Sequence, residues 1–172
     1  MQKNILLIGF MGVGKGALAR ELVRCDKSLY ALDTDDMIES MTNTRIKKIF
    51  ATAGEAAFRA LEQKTADWLA KNVTNAVIST GGGFYKVNNI KNIGTVVYLK
   101  ADFSWILNRI MSAPNAKKKL KKRPLFQDIE KAKKLFEERY TAYEEVADIV
   151  IDVTGGDTGS VAEAILNRVS QQ

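Results

Sequence analysis

A single stretch near the start of the chain decides its fold: Ile5-Leu6-Leu7-Ile8-Gly9-Phe10-Met11-Gly12-Val13-Gly14-Lys15. Because Leu18 to Val23 follow with helical spacing, the stretch predicts a strand, a glycine-rich turn and a helix. Small residues let successive N–H groups face an anion, the helix N-terminus adds positive potential, and Lys15 can reach the outer phosphates of a nucleotide. An ordinary strand-to-helix turn would explain the glycines but not the lysine, so we predict a phosphate-binding loop.

The residues after Lys15 depart from the usual phosphate-loop pattern. That pattern places a serine or threonine directly after the lysine, where its hydroxyl binds the nucleotide's Mg²⁺. This chain has Gly16 and Ala17 at the two positions, and neither carries a hydroxyl. We therefore predict a nucleotide phosphate site with a weakened metal site.

Composition limits the class of protein. A chain of 172 residues with 46% hydrophobic content fits one compact domain spanning 1–172, and no apolar segment is long enough for a membrane span. Without a signal-peptide pattern, we expect a cytoplasmic protein. Cys25 is the single cysteine and histidine is absent, so an intrachain disulfide, a Cys/His zinc site and a histidine base are excluded. The net charge of +6 favours anionic partners.

Short apolar runs recur along the chain, separated by segments with helical spacing. Alternating strands and helices predict a parallel sheet, and runs without polar alternation are typical of strands covered by helices on both faces. The fold class predicted is therefore α/β, with a doubly wound five-stranded parallel sheet. The lysine-rich segment 111–127, which contains both prolines, is interpreted as a mobile lid. The predicted strands are Ile5–Ile8, Tyr30–Leu32, Ala76–Ser79, Thr95–Leu99 and Ile149–Ile151.

Two carboxylates follow the second predicted strand. If the backbone stays extended, Asp33 and Asp35 lie on the same side and face the phosphate loop. One would hold the metal through water, and the other would engage a substrate hydroxyl. The alternative is helix N-capping by Asp35 or Thr34, because such residues commonly begin a helix.

Two further segments carry polar chemistry. Residues 49–62 predict a helix, a break at Gly54 and a second helix that places Arg59 and Glu62 on one face. This pair is either a surface ion pair or an arginine that binds a carboxylate and is oriented by Glu62. The third strand ends in Gly81, Gly82 and Gly83, which either form a flexible turn or let a ligand approach the backbone closely.

Taken in order, these segments resemble shikimate kinase. The resemblance covers nearly the whole chain and rests on six motifs: GFMGVGKG, LDTDDMIE, FATAGEAAFRALE, ISTGGG, RPL at Arg123 to Leu125, and ERYTAY around Arg139. It implies a nucleoside-monophosphate-kinase-like P-loop fold. It also implies transfer of the γ-phosphate of ATP to the 3-hydroxyl of shikimate, on the route to aromatic amino acids. ATP and shikimate would be the partners, with Mg²⁺ as cofactor.

The resemblance also implies roles for individual residues. Asp35, Arg59, Arg139 and the glycines from Gly81 to Gly83 would bind shikimate, with Glu62 orienting Arg59. Lys15, Asp35 and Arg123 would be catalytic, Arg123 as the arginine of the lid. Asp33 would lie near the metal, through water. The ATP-binding residues implied are Gly12, Val13, Gly14, Lys15, Gly16, Ala17, Arg109 and Arg123, with Arg109 flanking the base.

Two departures and several alternatives accompany the resemblance. Besides Gly16-Ala17, the stretch 153–157 lacks the arginine with which relatives often contact adenine. A rival hypothesis is a nucleotide- or shikimate-binding protein with impaired catalysis, and another is a P-loop kinase for gluconate or a nucleotide. The basic run 117–123 could bind polyanions, but it lacks interleaved aromatic residues, so no specific nucleic acid is expected. We expect a monomer, with Trp68 and Trp105 in the core.

Overall fold

A computed structural model gives the structure of the chain and describes residues 4–114 and 124–171. The strands are β1 (Asn4–Ile8), β2 (Tyr30–Asp33), β3 (Ala76–Ser79), β4 (Gly94–Lys100) and β5 (Ile149–Asp152). The helices are α1 (Lys15–Cys25), α2 (Thr34–Thr42), α3 (Ile46–Asn72), α4 (Ile90–Ile93), α5 (Phe103–Met111), α6 (Ile129–Val146) and α7 (Thr158–Val169). Short 3-10 turns lie at Phe84–Lys86 and Pro124–Gln127.

The five strands form one parallel sheet in the order β2-β3-β1-β4-β5. From β1 the chain crosses to β2 at one edge, returns to β3 beside β1, and then continues on the other side of β1 through β4 to β5. The topology therefore switches beside β1, where ligands of open α/β sheets bind. The doubly wound five-stranded sheet predicted from the sequence is confirmed. The register pairs Asp33 of β2 with Ser79 of β3, and Ser79 with Leu7 of β1. The C-terminal ends of three strands therefore meet below the phosphate loop.

Burial differs between the inner strands and the edges. The side chains of Ile5–Ile8 are at most 1% exposed, as expected for a parallel strand with helices on both faces. The expectation that all five strands are covered is wrong at the edges. Tyr30 begins β2 and is 74% exposed, while β5 alternates buried and exposed residues. An edge strand has a neighbour on one side only, so part of its surface stays in water.

An aromatic cluster joins the phosphate loop to α5, to α6 and to the 3-10 turn that precedes α6. The ring of Phe10 lies 5.3 Å from that of Phe136 and 6.2 Å from that of Phe126, and Phe103 stacks on Phe126. At the two ends of the predicted lid 111–127, Met111 belongs to α5 and Phe126 is buried in this cluster, and the lid itself stays a prediction. The middle of the predicted lid, 115–123, lies outside the described residues.

The long helix α3 is broken at Gly54, as predicted. Gly54 has φ 81° and ψ 177°, a backbone conformation that favours glycine. Apart from its chain neighbours and the nearby backbone of α3, no described group lies within 4 Å of the position its Cβ would take. Phe58, after the break, packs with Ile38 and Ile49 in a small second core that holds α2 against α3. This core fixes the side of α3 that carries Arg59 and Glu62.

Burial and helix length settle the remaining predictions about apolar segments. The prediction that Trp68 lies in the core is wrong, because its side chain is 51% exposed; helical spacing alone does not show which face of α3 meets the sheet. Trp105 packs against the core, as predicted. Within 4–114 and 124–171, none of the helices combines the length and apolar character required to cross a membrane.

Candidate active site

The glycine-rich turn after β1 has the geometry of an anion-binding loop. Gly12 and Gly14 have φ values of 91° and 115°, which residues with side chains rarely adopt, and Gly14 caps α1. The first turn of a helix directs N–H groups without helical acceptors toward its N-terminus. The Lys15 ammonium folds over the loop and donates to the carbonyls of Gly9, at 2.7 Å, and Phe10, at 3.2 Å. The positive charge of Lys15 is therefore held against the backbone of the loop.

A cleft lies beside this loop. The Arg109 guanidinium lies against Gly14, since a Cβ there would be 2.9 Å from its Nη2, and it also packs over the Trp105 ring at 5.3 Å. Arg109 is thus fixed at the rim by an aromatic partner. The other residues that line the cleft are Val13, Leu18, Leu99, Val153, Gly156, Asp157, Thr158 and Val161.

Asp33 is held between two strands and the start of a helix. Its Oδ1 accepts from the N–H groups of Asp35, at 2.9 Å, and Asp36, at 3.4 Å, so Asp33 is the N-cap of α2. Its Oδ2 accepts from the Ser79 hydroxyl at 2.8 Å. The prediction of an extended backbone from 33 to 35 is wrong, because α2 begins at Thr34. The alternative that Asp35 or Thr34 caps the helix is wrong as well.

Asp35 and Glu62 each direct one buried, unpartnered carboxylate oxygen into the same space. Asp35 Oδ1 and Glu62 Oε1 are the two buried side-chain polar atoms of the described residues without a hydrogen bond. Burial, followed by repulsion from Asp33 and Glu62, raises the pKa of Asp35 to about 6. Burial also raises the pKa of Glu62, although Arg59 opposes that shift. Such oxygens are ready to accept hydrogen bonds from a ligand.

Arg59 is a half-buried guanidinium with its donors divided between two carboxylates. Its Nη1 donates to Glu62 Oε2 at 2.6 Å, and the Glu62 side chain is 2% exposed. Its Nη2 and Nε donate to Glu55 Oε1 at 2.8 and 3.1 Å, and the Glu55 side chain is 63% exposed. The Glu62 contact is therefore a fixed support, whereas Glu55 occupies the outer edge of the guanidinium from solvent.

The glycine triplet forms the floor on which these groups converge. A Cβ on Gly81 would lie 2.8 Å from Asp35 Oδ1 and 3.2 Å from Glu62 Oε1, and one on Gly83 would overlap the Arg59 guanidinium. Close approach of functional groups to the backbone is thus the reason for glycine at these positions.

The middle glycine of the triplet ties the floor to α6. The Gly82 carbonyl accepts from Arg139 Nη1 at 3.0 Å and from the Tyr143 hydroxyl at 2.6 Å. A Cβ on Gly82 would lie 3.0 Å from the same Arg139 nitrogen. Arg139, the second arginine of the predicted substrate site, is therefore held at the glycine triplet. Tyr143, one helical turn further along α6, binds the same carbonyl.

Position 16 opens toward the Asp33–Ser79 pair. A Cβ on Gly16 would have two described groups outside its own helix backbone within 4 Å, namely Arg20 Nη1 at 3.7 Å and Ser79 Oγ at 3.9 Å. Asp33 and Ser79 offer oxygen donors of the kind that Mg²⁺ prefers. The residues that border the loop therefore fit a magnesium ion even though Gly16 offers no ligand.

The structure brings most of the predicted site residues together. The phosphate-loop residues and Arg109 lie on one side of the C-terminal end of β1. The residues predicted to bind the substrate lie at the glycine triplet, beside that end. Arg123 lies outside the described residues, so its role stays a prediction. Four residues of the site are not identified from the sequence, namely Thr34, Glu55, Ser79 and Tyr143. The Thr34 hydroxyl accepts a hydrogen bond from the Gly81 N–H. The ERYTAY motif contains Tyr143, but nothing in the motif shows that its hydroxyl binds Gly82.

Comparisons with known proteins agree with this arrangement. The family model described as shikimate kinase matches residues 11–170. A shikimate kinase of Helicobacter hepaticus is 40% identical over 150 residues, 87% of this chain and 86% of the relative. The structure of shikimate kinase from Acinetobacter baumannii in complex with shikimate has a TM-score of 0.84 and 30% identity, covering 99% of this chain and 94% of that one. Shikimate kinase from Aquifex aeolicus has a TM-score of 0.76 and 33% identity, covering 97% and 96%.

These comparisons confirm the resemblance and the P-loop fold of the nucleoside-monophosphate-kinase type. They give no support to a binding protein with impaired catalysis. The chain belongs to the shikimate kinase family and is an ATP-dependent kinase.

Proposed function

We propose that the chain transfers the γ-phosphoryl group of ATP to the 3-hydroxyl of shikimate, with ATP on the loop after β1 and shikimate on the glycine triplet. One observation carries the acceptor site: two buried carboxylate oxygens without partners and two arginines converge on Gly81–Gly83. Shikimate combines one carboxylate with several ring hydroxyls, so it complements both charges. The A. baumannii relative, solved with shikimate, supports this choice of acceptor.

The two arginines would bind the shikimate carboxylate. An arginine guanidinium pairs with a carboxylate through parallel hydrogen bonds. The inner donor of Arg59 is committed to Glu62, and its outer edge now holds the exposed Glu55. Because an exposed ion pair contributes little energy, a substrate carboxylate can displace Glu55 from this edge. Arg139, fixed on Gly82, would supply the second cation.

Asp35 would act on the hydroxyl that receives the phosphoryl group. Its unpartnered Oδ1 would accept a hydrogen bond from that hydroxyl and take its proton as the new bond to phosphorus forms. A pKa of about 6 suits a base that works near neutral pH, because the carboxylate is ionised yet still attracts a proton. Glu62 Oε1 would accept from a second ring hydroxyl and so fix the orientation of the ring.

The loop would supply positive charge to the transferred group. Phosphoryl transfer depends chiefly on alignment and on charge stabilisation around the phosphate oxygens. Lys15 and the N–H groups of the α1 N-terminus would provide both, and Arg123 is proposed to add a cation from the lid. Asp33, with water, would hold Mg²⁺, which when bound neutralises charge on the β- and γ-phosphates.

A coupled assay of ADP release tests this function. We expect release that requires both shikimate and a divalent metal, and negligible release with gluconate or a nucleoside monophosphate as acceptor. Acceptance of either substitute at a comparable rate would favour the rival P-loop kinase. Shikimate binding without turnover at any magnesium concentration would favour the rival binding protein.

The pH dependence of kcat/KM follows from Asp35. Its pKa of about 6 in the free enzyme means that the active, ionised form prevails above that pH. We expect kcat/KM for shikimate to fall as pH drops through about 6, with an apparent pKa near the same value. Hydroxyl donors of bound shikimate stabilise the carboxylate, so kcat should fall at a lower pH than kcat/KM. A kcat/KM profile flat between about pH 5 and 7 would contradict Asp35 as base.

Enlarging Gly83 should damage the acceptor site without unfolding the chain. In Gly83→Ala the new methyl group would displace the Arg59 guanidinium, whose Nη1 donates to Glu62, so any loss of stability should not exceed that of removing the Arg59 side chain. We expect shikimate affinity to fall about tenfold or more, because a charged hydrogen bond is weakened, with ADP affinity unchanged. Calorimetry of both ligands measures this.

Gly155→Ala is the matched control for that substitution. No described group lies within 4 Å of its added Cβ, and Gly155 is not among the glycines with positive φ. Shikimate affinity should therefore stay at the wild-type value. Equal losses in the two variants would show that the Gly83 effect does not come from Arg59.

A further inference from the structure

A side chain at position 16, in the first turn of α1, would project toward the hydroxyl of Ser79 at the end of β3. The Cβ of such a side chain would lie 3.9 Å from Ser79 Oγ. Position 16 is the position at which P-loops usually carry the hydroxyl that binds the metal. Ser79 ends β3 and is 4% exposed. The hydroxyl missing from the loop therefore has a fixed neighbour of the same chemical type.

The hydrogen bonds of Ser79 leave its oxygen available as an acceptor. The hydroxyl has one proton, which it donates to Asp33 Oδ2 at 2.8 Å, so the remaining electron pairs can only accept. Asp33 is itself held by two N–H groups of α2, and the β2–β3 register places it opposite Ser79. Asp33 and Ser79 thus form a rigid pair of oxygen acceptors at the edge of the loop.

We propose that Ser79 takes over the task of the missing hydroxyl, its oxygen accepting a hydrogen bond from a water of the hydration shell of nucleotide-bound Mg²⁺. Mg²⁺ usually retains several waters in proteins, so an acceptor one water away can position the ion. Ser79 is therefore a positioning residue that acts through water, and this inference rests on the proposed function of the loop. It also predicts that the metal site is less impaired than Gly16 alone suggests.

Arg20 provides the competing explanation. Its Nη1 lies 3.7 Å from the same Cβ position, and a guanidinium there could replace part of the charge of the metal. In that case nucleotide binding would be insensitive to magnesium and would depend on Arg20. The two explanations differ in one measurable quantity, the ratio of ADP affinity in saturating Mg²⁺ to that in EDTA, called here the magnesium enhancement.

Isothermal titration calorimetry of ADP in both buffers tests the proposal. Ser79→Ala should reduce the magnesium enhancement about fivefold, equivalent to about 1 kcal/mol, with the affinity in EDTA unchanged. Thr80→Val is the matched control, because Thr80 is a buried neighbour whose hydroxyl donates to the Leu7 carbonyl at 2.9 Å. Its enhancement should equal that of the wild type.

A rescue experiment separates positioning of the metal from support of the fold. In a Ser79→Ala background, Gly16→Ser should bring the magnesium enhancement back to the wild-type value. In the wild-type background the same substitution should raise the enhancement less than about threefold, because the Ser79 hydroxyl already positions the metal. A merely structural role of Ser79 would lower the EDTA affinity too and would not be rescued.

Three results would overturn the proposal. The first is an unchanged enhancement in Ser79→Ala. The second is a gain of about tenfold in Gly16→Ser alone, which needs no Ser79 variant to fold. The third is a wild-type ratio near one with ADP binding lost in Arg20→Gln. Because these titrations contain no shikimate, they are independent of whether shikimate is the acceptor.

Discussion

Replacing Asp35 with asparagine is expected to lower kcat for shikimate phosphorylation at least about a hundredfold, the usual effect of removing a general base. Asparagine keeps the shape of the side chain and one acceptor oxygen, so shikimate affinity should fall by much less than kcat. Steady-state kinetics at about pH 7.5, with calorimetry of shikimate binding, measures the two effects separately. A variant whose kcat stays within about tenfold of the wild type would show that Asp35 does not accept the proton.

The same substitution should make the protein more stable at neutral pH. The pKa of Asp35 rises from 3.8 to about 6 on folding, so the ionised carboxylate destabilises the folded state above pH 6. The asparagine side chain carries no charge, and the free energy of unfolding should increase by about 1 to 3 kcal/mol at pH 7. The gain should shrink as pH falls from 6 and vanish below 3.8, where both states of the wild type are protonated.

Asp36→Asn is the matched control for both measurements. It makes the same charge change one residue away, on an exposed side chain of the first turn of α2. We expect near wild-type kcat and a small loss of stability, since a carboxylate near a helix N-terminus is favourable. Urea unfolding at about pH 4 and pH 7 compares the two variants with the wild type.

The sheet could be predicted because its central strands are buried on both faces. Burial makes a parallel strand a continuous apolar run, and Ile5–Ile8 is such a run. The exposure of Tyr30 could not be predicted in the same way, because it depends on the position of β2 at the edge of the sheet. Composition reports how apolar a segment is, whereas the order of strands decides how much of it is covered.

The capping of α2 shows a second limit of the sequence pattern. Thr34, Asp35 and the preceding Asp33 are all good cap residues, so propensity does not choose among them. The pairing of Asp33 with Ser79 across β2 and β3 makes the choice, because it keeps Asp33 extended and lets the helix begin next to it. Long-range register therefore settles a question that local preference leaves open.

The charged residues of the candidate site could be predicted from the sequence, whereas the residues that hold them in place mostly could not. Lys15, Asp35, Arg59 and Arg139 belong to motifs whose order carries the family resemblance. Tyr143 joins the site because its hydroxyl reaches the Gly82 carbonyl from α6, 61 residues along the chain. Contacts of this kind depend on how helices pack, and spacing within one helix does not report them.

Replacing Arg59 with alanine is expected to weaken shikimate binding about 10- to 150-fold, corresponding to roughly 1.5 to 3 kcal/mol for a lost charged hydrogen bond. ADP affinity should be unchanged. The free energy of unfolding should also fall, by about 1 to 3 kcal/mol, because Glu62 is 2% exposed and would lose its partner. Part of that loss should be offset by proton uptake, since the pKa of Glu62 is already raised by burial. Calorimetry and urea unfolding at about pH 7 measure these changes.

A double variant and a matched arginine separate binding from stability. In Arg59→Ala/Glu62→Gln the buried charge of Glu62 is removed together with its partner, so stability should largely return while shikimate affinity stays low. Arg45→Ala removes an arginine whose ion pair with Glu39 is also 2.6 Å long but whose side chain is 85% exposed. That variant should change stability by less than about 1 kcal/mol and leave shikimate binding intact. If the double variant recovered shikimate affinity together with stability, Arg59 would support the fold of the site without contacting the substrate.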